Sequence, residues 1–257
     1  MANTNEHYGA RPDDGRKPKV KHALYKPLTF FFIIVAIIFV MSVFFKISNI
    51  EVEGNNLYTD EEVISASGIQ KGDSLFFLNR IGAGSRVVVK LPYVDSVQIT
   101  RSLPNYITIR VEESKTVGFL NINGEKWTVN YMGKFLNKVS DEEAAKLAPI
   151  SGITVKTAAV GDIMQVDEAD ADKLAYLLEI MYQIQARGLT ASIGGIDISN
   201  IANPSFDYDG RFVVLLGEKT DTEYKFGKML SAVGQLTDSD EGTLDLSEAD
   251  KVYFAPN

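Results

Sequence analysis

The sequence predicts an α+β protein carried on a single N-terminal transmembrane helix. Three observations support this: an uncharged apolar run of 18 residues near the N-terminus, strict apolar/polar alternation in several segments beyond it, and helix-period stripes between those segments.

The run is LTFFFIIVAIIFVMSVFF, residues 28–45, which as a helix spans roughly 27 Å and nearly matches the hydrocarbon core of a bilayer. It has no polar second face, as a core helix would. It also lacks the small residues of a signal-peptide cleavage site, because it exits through Phe44, Phe45 and Lys46. Residues 1–27 hold Arg11, Arg16, Lys17, Lys19, Lys21 and Lys26, whereas Lys46 is followed by Glu51, Glu53, Asp60, Glu61 and Glu62. This asymmetry predicts a cytoplasmic N-terminus and an extracytoplasmic C-terminus in the cell membrane. The basic arm, residues 1–27, has too few apolar side chains to fold and is predicted to be disordered.

Without the arm's six basic and three acidic residues, 20 basic and 31 acidic residues remain, a net charge of −11 over residues 28–257. That balance argues against nucleic acid, and against an anionic membrane face, as partners of the outer part. No cysteine occurs. The outer part must therefore fold without disulfides, which its length permits.

Alternation begins almost at the end of the apolar run, with Ile50 and Val52 set against Asn49, Glu51 and Glu53. Thr59-Asp60-Glu61-Glu62 has the spacing of a capping box and predicts a short helix ending at Gly68. In the loop GIQKGDSLFFLN, Leu75, Phe76 and Phe77 read as buried, and a second helix is predicted from Asn79 to Leu91, stopped by Pro92. A strand through Val94, Val97 and Ile99, a turn at Ser102-Leu103-Pro104-Asn105 and the alternating YITIRVEE complete a β-α-α-β-β unit over residues 46–113.

The strand with VEGN, the GDSLFFLN loop, LPYVDSVQITRSLPNYITIRVEE and the layout of basic arm plus one helix resemble the bacterial cell division family FtsQ/DivIB. That resemblance implies a POTRA domain next to the membrane anchor, then a β domain. It also implies a non-enzymatic role at the division septum. The implied partners are FtsB/DivIC-like and FtsL-like bitopic proteins and, through them, the septal peptidoglycan synthase.

Residues 114–257 read independently as a mostly antiparallel β domain with flanking helices. Asn123-Gly124, Met132-Gly133 and Asp209-Gly210 are hairpin signals. Residues 147–153 read as an apolar loop around Pro149. A helix is expected from Glu168 to Arg187 with Leu174, Leu178, Met181 and Ile184 inward, and a strand near Ile196 to Ile198. Another helix, opened by a box from Thr220 to Glu223, would turn Phe226, Met229, Val233 and Leu236 inward. Strands at Thr243 to Leu246 and Lys251 to Phe254 end the chain.

Both histidines, His7 and His22, lie in the arm, so the outer part lacks the residues for a Ser-His triad, a Cys-His nucleophile or an ordinary zinc site. No cofactor is predicted. SFDYDGRFVVLL fails as a calcium loop because Ser205 and Leu216 stand where carboxylates are required, and IGAGS lacks the Lys-Ser or Lys-Thr of a phosphate loop. The alternative function is a membrane-anchored cell-wall hydrolase using two carboxylates among Asp197, Asp207, Asp209, Glu218 and Asp245. Trp127 alternates with Val129 and Tyr131 and reads as core. A last strand often forms a sheet edge, and the resemblance implies that a partner adds a strand at the C-terminal end of the β domain. Lys251, Val252, Tyr253 and Phe254 are therefore the candidate partner-binding residues, with Tyr253 as the exposed anchor.

Overall fold

The computed structural model describes residues 21–248 and 251–257; most of the predicted disordered arm lies outside the described residues. Helix α1 (Lys21–Phe44) starts seven residues before the predicted span, consistent with the low cost of extending a helix that is already nucleated. Its segment Lys26–Phe44 is long and apolar enough to cross a membrane, and no part of that span is buried in the rest of the protein's core.

The first folded unit follows as β1 (Asn49–Glu53), α2 (Asp60–Ser67), α3 (Arg80–Lys90), β2 (Val94–Ser102) and β3 (Tyr106–Glu113). Its sheet order is β1-β3-β2, with β1 parallel and β2 antiparallel to β3. Thr59 and Glu62 form the expected capping box on α2, and Gly68 ends the helix at φ 69°, a left-handed geometry that costs glycine little. Val63 and Ala66 of α2 and Ala83 and Val87 of α3 share a core with Val52, Ile99, Ile107, Ile109 and Val111.

The loop between the helices departs from expectation. Leu75 is fully buried, but Phe76 and Phe77 are exposed. Of these three side chains only Leu75 joins the core, beside Ile69 from the start of the loop. The same loop is bonded directly to the exit of α1. The Leu75 amide donates to the Phe45 carbonyl (2.8 Å), the Ile47 amide to the Asp73 carbonyl (2.9 Å), and the Gly72 amide to the Ile47 carbonyl (2.7 Å). Between these bonds Lys46 forms a β-bridge with Ser74, and the rings of Phe45 and Phe76 meet edge to face at 5.0 Å.

Beyond β3, a meander of β4 (Gly118–Ile122), β5 (Glu125–Val129) and β6 (Phe135–Val139) turns first at Asn123-Gly124, both at positive φ. Trp127 is buried against Phe135, its ring edge to face at 5.9 Å. A single helical turn, α4 (Asp141–Ala144), carries a capping box of Ser140 and Glu143 that the sequence reading did not use. Then come β7 (Ile150–Ser151), α5 (Ala171–Ala186), β8 (Ile193–Asp197), β9 (Ser205–Tyr208), β10 (Phe212–Leu215), α6 (Thr222–Val233), β11 (Gly242–Asp245) and β12 (Tyr253–Pro256). These strands form a six-stranded sheet in the order β12-β11-β10-β9-β8-β7. The Phe119 amide donates to the Ala148 carbonyl (2.9 Å), which joins the meander to the β7 side of that sheet.

Three expectations change here. The apolar loop at 147–153 contains β7, whose parallel pairing with β8 is non-local and leaves no local signal. The inward face of α5 centres on Leu177, Ile180, Met181 and Ile184, with Leu174 and Leu178 only partly buried at its flank. The box from Thr220 to Glu223 does not form, because Asp221 takes the N-cap position at φ 47° without a side-chain cap. Lys225, fully buried, instead bonds to the carbonyls of Leu216 (2.8 Å) and Glu218 (2.7 Å). The Tyr176 hydroxyl donates to the Gly217 carbonyl (3.0 Å), so the loop into α6 is held from two sides.

The two cores share no member, and a buried polar cluster connects them. Asp95 of β2 accepts from the Ser114 hydroxyl and from the Asn130 side-chain amide. The Lys134 ammonium lies 3.8 Å from the same carboxylate and donates to the Val94 carbonyl (2.8 Å). The Asn130 side-chain oxygen in turn accepts the amides of Met132 and Lys134, closing the turn before β6. Burial pushes the Lys134 ammonium below its ordinary pKa, and the Asp95 charge opposes that shift.

Two stability predictions follow from this packing. Ile109 is fully buried between Val52 and Ile99, whereas Thr108 lies opposite Glu51 and Thr100 on the other face. Ile109→Asp should destabilise the protein by about 3 kcal/mol or more, and Thr108→Asp by about 0.5 kcal/mol through like-charge proximity to Glu51. Chemical denaturation of the two variants checks this, and equal losses would mean the face is misassigned. Asp95→Ala should cost about 3 kcal/mol by stranding Lys134, and Asp95→Leu combined with Lys134→Met should recover most of it. A double-mutant cycle on denaturation midpoints measures that coupling.

Candidate functional site at the C-terminal sheet edge

The strand at the chain's end is β12, shifted two residues toward the C-terminus from its expected place, so Lys251 and Val252 precede the ladder and Tyr253 opens it. The register pairs Asp245 with Tyr253, Leu244 with Phe254, Thr243 with Ala255 and Gly242 with Pro256. The Asn257 amide donates to the Glu241 carbonyl (3.1 Å), which fixes the parity of the ladder. Tyr253 and Ala255 then bond inward to β11, while the amide of Phe254 and the carbonyls of Phe254 and Pro256 point to the outer side. Among the described residues no strand occupies that outer side.

Backbone and side chains divide the work. Phe254 offers its backbone outward, yet its ring packs edge to face on Phe212 at 6.1 Å. Val252 is likewise half-buried against the core. Tyr253 is 47% exposed and donates its hydroxyl to Glu248 (3.1 Å), and that acceptor raises the phenol pKa above its ordinary value. Lys251 is exposed, its amide donating to the Glu248 carbonyl (3.3 Å).

Beside this edge lies a groove of about 400 Å³, walled by Ser231, Ala232, Gln235 and Leu236 from α6 and its C-terminal end and floored by Leu244, Val252 and Phe254. The sequence reading named the strand but missed the groove. Its helical wall depends on Lys225 and Tyr176 holding the loop into α6, a tertiary arrangement that no local spacing carries. The polar residues Ser231 and Gln235 on an otherwise amphipathic helix were the available signal.

Three of the five acids weighed for hydrolysis are engaged in local bonds. Asp197 accepts from the amide (2.8 Å) and hydroxyl (2.6 Å) of Ser199, bonds that hold its carboxyl below the usual carboxylate pKa, contrary to what a general acid needs. Asp209 pairs with Arg211 at 3.5 Å in the hairpin turn, and Asp245 accepts the Ser247 amide (2.8 Å). Among the described residues no three His, Cys, Asp or Glu side chains converge as metal ligands.

Fold and site together define a protein with an N-terminal helix long and apolar enough to cross a membrane, a small β-α-α-β-β unit bonded directly to that helix's exit and a second sheet ending in an open edge. Comparison with known proteins adds a matching domain and several similar chains. Residues 45–114 match the FtsQ-type POTRA domain. The chain is 24% identical to cell division protein DivIB of Clostridium acetobutylicum over 205 residues, covering 79% of this chain and 80% of that protein. It is 31% identical to DivIB of Bacillus subtilis over 134 residues, 51% of each chain, and 28% identical to FtsQ of Corynebacterium glutamicum over 158 residues, 60% of this chain and 64% of that one. The chain thus carries an FtsQ-type POTRA domain and is similar along much of its length to bacterial cell division proteins named DivIB and FtsQ.

Proposed function

We propose that this protein is a bitopic divisome scaffold, N-terminus in the cytoplasm and C-terminus outside, that binds other division membrane proteins through its outer domains while the septum forms. The unpaired outer side of β12, with an apolar-floored groove beside it, is the observation that carries the reading. It suits an extended segment adding as a strand, whose main-chain bonds would supply affinity and whose alternate side chains would enter the groove. The partners are FtsB/DivIC-like and FtsL-like bitopic proteins and, indirectly, the septal peptidoglycan synthase. Lys251, Val252, Tyr253 and Phe254 form the contact, with Tyr253 as the side-chain anchor. No catalytic step is assigned to this chain.

Tyr253→Ala should weaken binding of the FtsB/DivIC-like partner by about 2 kcal/mol, roughly thirtyfold in Kd, with an unchanged thermal melt. Titration of the full chain in detergent or nanodiscs reads both quantities. Binding that survives the change, or fails only along with folding, would place the contact elsewhere.

The absence of a linker is part of the same function. Ten Gly/Ser residues inserted after Lys46 would interrupt the bonded segment between Phe45 and Ile47 and let the outer part drift by about 20 Å. Midcell recruitment of a fluorescent fusion should fall. Normal localisation and septation would show that closeness to the bilayer is not what the short junction provides.

A further inference from the structure

The topology gathers three chain segments at the membrane end of the POTRA unit. β1 begins there, with the amides of Ser48 (3.0 Å) and Asn49 (3.3 Å) donating to the Asn105 carbonyl of the β2–β3 turn. The loop 69–79 crosses the same end, tied to the exit of α1 at Phe45 and Ile47 and to β2 through the Arg101 guanidinium on the Leu78 carbonyl. Large apolar side chains project from the loop, from the β2–β3 turn and from the start of α3. Phe77 is 79% exposed, Leu103 66% and Phe76 38%, and Ile81 in the first turn of α3 is 85% exposed. Phe76 meets Phe45 edge to face just past the end of α1, so this apolar surface adjoins the surface of that helix.

We infer that the membrane end of this domain is itself a lipid-contact surface, with Phe77 and Leu103 inserted into the outer-leaflet interface beside α1 and Phe76 and Ile81 flanking them. A soluble domain would leave such a cluster at a cost, since exposing large apolar groups forfeits about 25 cal/mol for each Å² that could be buried. Aromatic rings at a helix exit are suited to the headgroup level. Charge points the same way. Residues 44–49, 69–81 and 101–106 hold four basic residues, Lys46, Lys71, Arg80 and Arg101, and one acid, Asp73. This end is thus locally cationic within an outer part of net charge −11, and it modifies the expectation that the whole outer part avoids anionic lipid. The inference rests on α1 crossing the bilayer.

The chain has no cysteine, so single labelling sites can be introduced without background. Spin labels at Phe77→Cys, Leu103→Cys, Ile37→Cys and Leu57→Cys would be compared in the full chain, reconstituted in phosphatidylglycerol/phosphatidylcholine nanodiscs. Relative accessibility to oxygen and to a water-soluble nickel chelate gives the depth of each. The expected result is that the oxygen-to-nickel ratio at 77 and 103 exceeds that at Leu57 several-fold, Leu57 being exposed at the far end of the unit. Ile37, inside α1, reports the anchor separately. Lipid contact at 37 with water-like values at 77 and 103 would overturn the inference and leave the anchor intact. Water-like values at 37 would overturn the anchor and the inference with it. As a second variant, Phe77→Asp should leave the melt in detergent unchanged and lower the ratio at 103; an unchanged ratio would count against joint insertion.

Discussion

Three backbone hydrogen bonds between Phe45, Ile47 and the loop 72–75 tie the exit of α1 to the first folded unit. A flexible tether would let a folded unit rotate freely over the membrane and lose orientational order at each residue of slack. Here the last turn of α1, the bridge at Lys46 and the start of β1 form one bonded path, so the first sheet inherits its direction from the membrane helix. The polar cluster on Asp95 carries that direction onward, because β2 and the turn before β6 meet through it. Anchor, first sheet and second sheet are then linked by bonds made at fixed geometry rather than by greasy contact alone.

The choice of a buried polar joint has an energetic logic. An apolar contact of equal area would be about as stabilising and more tolerant of sliding, since dispersion and burial are weakly directional. Asp95, Ser114, Asn130 and Lys134 demand one register: a shift of a few ångströms would leave a carboxylate and an ammonium buried without partners. Stability and uniqueness therefore depend on the same side chains. Under the proposed role, presenting one edge to a partner held in the same membrane gains from that uniqueness.

What could be read in the sequence was what neighbours along the chain decide. Thr59 with Glu62, Asn123-Gly124, Asp209-Gly210 and the alternation of YITIRVEE each rest on contacts within a few residues, and each forms as expected. What could not be read depends on distant partners. Phe76 and Phe77 look like Leu75 in sequence, and only the tertiary packing of the loop separates the buried residue from the exposed pair. Thr220 and Glu223 have the spacing of a cap, but Lys225 captures the loop's carbonyls and Asp221 becomes the N-cap. At the candidate site Tyr253, picked for its amphipathic ring, is exposed, while the outward amide of Phe254 followed only from the pairing of Asn257 with Glu241.

An open strand edge is a hazard, because any extended chain can add to it. The other end of the sheet system is partly closed: the Phe135 amide donates to the Asp162 carbonyl (2.8 Å) and the Gly161 amide returns to Phe135 (2.8 Å), so a loop covers β6. At β12 the chain uses different protection. The strand is only four residues long, its outward position at 256 is a proline without an amide, and an exposed lysine precedes it. One outward donor remains along the strand, the Phe254 amide, too little to template long pairing with a second copy of this chain. A short partner strand can still be held if side chains add what the backbone lacks, and the groove along α6 lies where such side chains would fall. Affinity at this edge must therefore come jointly from main-chain bonds and groove contacts, which makes the edge selective where a longer, fully armed strand would be sticky.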